Sequence, residues 1–119
     1  DVGLLAFSPL AAGLLSGKYQ HGHVPEGSRM SLVPELGGRK TARVFDAVDA
    51  YVAIAARHRL DPVQMALAWT LTRPFMASSI FGATRLGQLE HALKSVDVSL
   101  SDEVLAEIDD AHKAHPMPY

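Results

Sequence analysis

The chain has 119 residues, a length that suits one globular unit. Apolar residues make up 48 % and charged residues 20 %, which excludes a disordered chain, and the formal net charge of −2 excludes the concentrated basic field that nucleic-acid and membrane surfaces need. Cysteine is absent, so disulfides and Cys-ligated metals are excluded and a reducing cytoplasm is expected.

The opening DVGLL has no starting Met and no basic leader, and it already reads as part of a structural element. No apolar run approaches the roughly 18 residues of a spanning helix. Residues 2–7 form a continuous apolar run closed by Ser8-Pro9, which predicts a strand buried on both faces. Pro9 lacks an N–H to donate, so pairing is expected to stop there. Residues 8–18 are small and Gly-containing. From 19 to about 39 the sequence has two prolines, several glycines and no sustained period, which predicts a long loop acting as a lid or binding segment, or else a plain surface loop.

Val44, Val48, Tyr51, Val52 and Ala55 recur at helical spacing and predict a helix over 40–58. The next helix is expected at 63–72. Asp61 is its cap, Pro62 lies in its first turn, and Gln64 is placed to reach back in a capping box. It is apolar nearly all round, with Trp69 read as core, so burial on most faces is expected. Residues 76–81 predict a second strand, and 85–95 a helix with Leu86, Leu89 and Leu93 on one face read as core. Ser101 caps the last helix, Leu100 and Leu105 staple its entry, and a polar Pro-containing tail runs from 112 to 119.

Two buried strands separated by helices should run parallel. A two-stranded parallel sheet cannot satisfy its own edges. Either a partner supplies further strands or the polypeptide is longer.

Two turns are candidate anion sites. Gly82-Ala83-Thr84-Arg85 joins a strand end to a helix start, where unpaired N–H groups and the helix dipole favour an anion. Gly82 permits close approach, Thr84 can cap or donate, and Arg85 adds a charge. An ordinary capped helix is the alternative. Ser8-Pro9-Leu10-Ala11-Ala12-Gly13, with Lys18 beyond it, also follows a strand, the alternative being a tight turn with a solvated lysine. Arg29 can close over a phosphate or be a plain surface arginine. The six histidines lack a metal-site spacing, so solvated loop histidines and no metal are expected. Ser8 has no nucleophile context.

Taken together, LLAFSPLAAGLLSGKY (4–19), DPVQMALAWTLTRP (61–74) and SSIFGATRLGQLEHAL (78–93) resemble the aldo-keto reductase family, especially bacterial oxidoreductases related to potassium-channel β subunits. The resemblance spans nearly the whole chain. It implies an α/β fold, the C-terminal part of a (β/α)8 barrel comprising its last two parallel strands and closing helices. It implies NADP(H) bound at the C-terminal face. By position, Phe7 looks like the residue beside the nicotinamide. Ser8, Pro9, Leu10, Ala12 and Lys18 look like the pyrophosphate loop, and Arg29 like its closing arginine. Gly82, Ala83, Thr84, Arg85 and Gln88 look like the adenosine and 2′-phosphate end.

Where the family has Glu-Asn, this chain has His91-Ala92; Ala92 can neither accept from nor donate to adenine, so weaker base contacts are expected, and no base role is assigned to His91. The family's catalytic Asp, Tyr, Lys and His lie in earlier strands, so no catalytic residue is expected among these 119. The resemblance implies reduction of a carbonyl substrate by the complete protein only, or a nucleotide-binding regulatory role of the potassium-channel β-subunit type. Neither nucleic acid nor membrane is an expected partner.

Overall fold

The structure, a computed structural model, describes residues 2–119. Strand β1 (Leu4–Phe7) leads through two short 3-10 segments (Ala11–Ser16, Gln20–Gly22) to α1 (Arg29–Leu32). Helices α2 (Ala42–Arg57) and α3 (Pro62–Leu71) follow, then β2 (Met76–Ile80), α4 (Leu86–Leu93), a 3-10 turn (Lys94–Asp97) and α5 (Asp102–Ala114).

The strands pair in parallel, Leu5 opposite Ser78 and Phe7 opposite Ile80, with an irregularity between Leu4 and Leu5. The irregularity coincides with a close approach: a Cβ on Gly3 would lie 2.7 Å from the Ala77 Cβ, so only glycine fits there. Because the pairing is parallel, the chain leaves both strands at the same end of the sheet. The expected burial of the strands does not hold in this chain. Leu5 is 61 % and Phe7 76 % exposed, because β1 and β2 have only each other as neighbours among the described residues.

Two apolar clusters hold the helical layer. Leu14, Tyr19, Met30, Leu36, Val44 and Val48 form the first, with Ala11 at its edge. Tyr19, Met30 and Leu36 come from the segment 19–39, which is therefore not structureless: these apolar residues are inserted into the core, and Gln20 Nε2 donates to the Phe45 carbonyl and to Asp49. Ile54, Ala55, Met65, Val104 and Ile108 form the second cluster, with Trp69 and Leu100 packed against it. Trp69 is thus partly buried at the margin of the core, with Arg73 stacked 4.2 Å from its ring centroid.

Local signals set the helix ends. The Asp61 carboxylate accepts from Gln64 N at 3.0 Å, and the Ser101 hydroxyl accepts from Val104 N at 3.2 Å, both as the sequence suggests. Thr41 caps α2 by accepting from Val44 N at 3.2 Å. Gln64 does not complete a capping box: its amide crosses to α4 and donates to the His91 carbonyl at 3.0 Å. The apolar face of α4 is not core here either. Leu86 is 70 % and Leu93 53 % exposed, and Ala92 is the buried residue of that helix. The C-terminal residues, expected as a polar tail from 112, continue α5 to Ala114 and then fold back along α2. There the Pro118 carbonyl accepts from Thr41 Oγ1 at 2.5 Å and the Pro116 carbonyl from Arg43 at 2.8 Å.

Candidate functional site

Both candidate turns leave the sheet at its shared C-terminal end, one after Phe7 and one after Ile80. The turn after β1 is built in an unusual backbone conformation. Ser8, Ala11 and Ala12 have φ values of 56°, 49° and 59°, and Gly13 has 92°. Left-handed geometry at three non-glycine residues costs energy at each. The turn is held by Ala11 N donating to the Ser8 carbonyl (3.0 Å), Gly13 N donating to the Leu10 carbonyl (2.9 Å), and insertion of Leu14, fully buried, into the first core. The reversal carries Lys18 back over the turn. A Cβ on Gly13 would lie 3.3 Å from Lys18 Nζ, so Gly13 leaves the room the ammonium occupies. Pro9, Leu10, Ala12 and Lys18 are half-buried, whereas Phe7 and Ser8 face solvent.

The turn after β2 is organised by a side chain. Gln88 Oε1 accepts from Thr84 N at 3.0 Å and from the Thr84 hydroxyl at 3.2 Å, closing the loop onto the first turn of α4. Thr84 is therefore a donor rather than the cap; Arg85 occupies the cap position and makes no side-chain capping bond. The first amides of α4 thus keep their outward potential for an anion. Ala83, Thr84 and Arg85, with Phe81 and Leu86, line an open hollow of about 290 Å³ beside this turn. Gly82, Ala83, Thr84, Arg85 and Gln88 are all exposed.

The long segment meets this second turn. Arg85 Nη2 lies 3.8 Å from the Cβ position at Gly27, two residues before Arg29. Arg29 opens α1 and is exposed. A residue that the sequence reading did not single out anchors that helix: buried Tyr19 accepts, at its hydroxyl, from Met30 N at 3.2 Å. A tyrosine at the start of an irregular stretch gives no periodic signal, so only the fold shows this. Lys18 also stacks 5.1 Å from the Tyr19 ring centroid. The Tyr19 hydroxyl faces inward to Met30, away from any position where it could meet a ligand.

His91 is turned away from the hollow. Its Nε2 lies 2.8 Å from Asp61 Oδ1, at the start of α3. His58, expected as a solvated histidine, instead pairs with Glu107 at 2.8 Å, and Glu103 completes a trio whose ligand atoms lie within 4.8 Å of one another. The second oxygen of Glu107 is taken by Arg57. With both of its carboxylate oxygens engaged, Glu107 ties Arg57 and His58, at the end of α2, to α5. The hydrogen bonds from Arg57 and then His58 hold the Glu107 carboxyl below the usual carboxylate range.

A cavity of about 300 Å³ lies among the helices between Leu15, Tyr51, Met65, Trp69 and Ile108. Its lining is almost wholly apolar and includes no lysine or arginine, so it does not suit a phosphate. Burial there pushes the Tyr51 hydroxyl pKa up.

This geometry, parallel strands with paired polar turns at one end and helices packed behind, is that of a piece of a parallel α/β fold. The chain belongs to the aldo/keto reductase family, whose family model matches residues 1–113. It is 44 % identical over 117 residues to the protein tas of Escherichia coli K12, covering 98 % of this chain and 34 % of that protein. It is 36 % identical over 117 residues to L-glyceraldehyde 3-phosphate reductase of Escherichia coli O157:H7, covering 91 % of this chain and 33 % of that protein. It is also 36 % identical over 120 residues to an Arabidopsis thaliana protein named "Probable voltage-gated potassium channel subunit beta", covering 97 % of this chain and 37 % of that one.

Among solved structures, the glycerol dehydrogenase of Gluconobacter oxydans superposes with a TM-score of 0.70 at 24 % identity, over 98 % of this chain and 36 % of that chain. The fold is accordingly that of the C-terminal part of a (β/α)8 barrel, and the chain spans about a third of the length of the relatives it matches. The family typically works with a nicotinamide cofactor on a carbonyl substrate. Among the described residues no helix is long and apolar enough to cross a membrane.

Proposed function

We propose that this chain, as residues 1–119 of a partial aldo-keto reductase domain, supplies the phosphate-gripping half of an NADP(H) site in a protein that reduces aldehydes or ketones to alcohols. The observation that carries the reading is the parallel pairing of Phe7 with Ile80, which sends the two polar turns out at one end of the sheet. Lys18 belongs to the first turn, Arg85 to the second, and Arg29 follows the loop that reaches Arg85. Three cations and the free amides of α4 fit a ligand with several phosphate charges. Phe7, exposed at the strand tip, would flank the nicotinamide. Ser8, Pro9, Leu10 and Ala12 would cradle the pyrophosphate beside Lys18, with Arg29 closing over it. Gly82, Ala83, Thr84 and Arg85 would hold the adenosine end and its 2′-phosphate, with Gln88 keeping that turn closed.

When bound, the cofactor supplies hydride; this chain's residues bind it, orient it and neutralise its phosphates. In this reading none of the three tyrosines donates the proton to the carbonyl oxygen, and the chain alone is inactive. The test is titration of NADPH and of 2′,5′-ADP into the full-length product of the gene that encodes this chain. Tight binding of both is expected, and indifference to the 2′-phosphate would remove the NADP(H) assignment. NADPH oxidation by the isolated 119 residues would contradict the inactivity.

A second reading is a nucleotide-binding regulatory protein of the potassium-channel β-subunit type. It is favoured by the likeness to the Arabidopsis protein of that name. Steady-state turnover of the full-length protein with a panel of aldehydes separates the two: sustained NADPH oxidation supports the reductase, and binding without turnover supports the regulator.

A further inference from the structure

The turn that carries Arg85 is fixed at two places, by β2 on one side and by α4 on the other. Among the described residues helix α4 has little apolar attachment: Leu86, Leu89 and Leu93 are exposed and Ala92 is its buried residue. Its firm connections to the rest of the molecule are polar and converge on one residue. His91 Nε2 lies 2.8 Å from Asp61 Oδ1, and Gln64 Nε2 donates to the His91 carbonyl at 3.0 Å while lying 3.4 Å from its Nδ1. The Asp61 carboxylate is an acceptor, so Nε2 carries a proton towards it, and Nδ1 faces the Gln64 amide. The same Asp61 oxygen accepts from Gln64 N as the cap of α3. Three residues thus clamp the last turn of α4 to the first turn of α3.

We infer that His91 is a positioning residue for cofactor binding: through Asp61 and Gln64 it holds α4, and so the Gly82–Arg85 turn, in place for the phosphate, and it does not read the base. The inference rests on the cofactor reading above. His91 and Asp61 are 42 % and 36 % exposed, so solvent screens the pair and its effect is modest.

The test uses the full-length protein, with NADPH and with the analogue carrying hypoxanthine in place of adenine. His91→Ala is compared with Asp61→Ser, which keeps a capping hydroxyl on α3 but is too short to reach His91. Each variant is expected to raise the dissociation constant between about three- and tenfold. The double variant should be no worse than either single one, since both cut one link. The penalty should be equal for the two cofactors. Unchanged affinity in both single variants overturns the inference. So does additivity in the double variant, or a His91→Ala penalty seen with adenine and absent with hypoxanthine, which would make His91 a base reader. If the wild-type protein binds neither cofactor, the cofactor reading itself fails and the inference falls with it.

Discussion

Tyr19→Phe isolates one hydrogen bond that ties the loop bearing Arg29 to the core. The ring is 1 % exposed and packs with Leu14 and Met30, and phenylalanine retains that packing. What disappears is the acceptor for Met30 N, an amide in the first turn of α1 with no partner inside so short a helix. Leaving a buried amide unsatisfied costs about 1–3 kcal/mol. Part of this is recoverable. Ser28, at the cap position of α1, has a buried hydroxyl without a partner among the described residues, and it can rotate to accept from Met30 N.

The single variant is therefore expected near the lower end, about 1 kcal/mol, and Tyr19→Phe combined with Ser28→Ala at about 2 kcal/mol. Native-state hydrogen exchange of the Met30 amide reads this locally. About 1.4 kcal/mol corresponds to a tenfold loss of protection, so the single variant should lose protection about fivefold and the double variant about thirtyfold. Unaltered protection in the double variant would refute the reasoning, because no other acceptor near Met30 accounts for it.

Three further outcomes follow from the same structure. Leu14→Ala empties a fully buried site in the first core and should cost about 3 kcal/mol in urea unfolding. A cost under half that would mean the turn after β1 collapses to fill the space. Gly3→Val places a Cβ where Ala77 already stands, so the strand pairing should open and the amides of 4–7 lose exchange protection; retained protection would contradict the close approach.

The Glu107 carboxyl, held low by Arg57 and His58, contributes stability that is present above the ordinary carboxylate range and is lost as pH falls through its lowered value. Glu107→Gln should therefore lower stability at neutral pH, converge with the parent at the acid end, and so flatten the acid limb of the stability curve. An unchanged acid limb would show that the network does not persist in solution.

Much of the local structure could be read directly along the chain. Asp61 and Ser101 announce α3 and α5 because an N-cap needs only a short acceptor before an apolar repeat. The stripe Val44-Val48-Ala55 marks the inner face of α2 because helical period and burial coincide there. The turns after Phe7 and Ile80 carry composition signals of their own, small residues and a nearby cation, and the parallel pairing places them at one end.

Other features have no local signal. The segment 19–39 reads as irregular, yet Tyr19, Met30 and Leu36 enter the core, because single apolar residues at irregular spacing acquire a partner only when α2 is folded beneath them. Gln64 sits where a capping box is expected, but a nearby helix offers the His91 carbonyl and wins the amide.

The order of the two strands and of helices α2 to α5, the caps Asp61 and Ser101 and the family likeness are determined by the sequence alone, since each depends on residues close together in the chain. Which strands pair and in what register, which apolar faces are covered, and where His91, Gln64 and Glu107 find their partners are decided only by tertiary structure. Those outcomes depend on contacts between residues tens of positions apart. For the exposed leucines of β1 and α4 they depend on neighbours that these 119 residues do not supply.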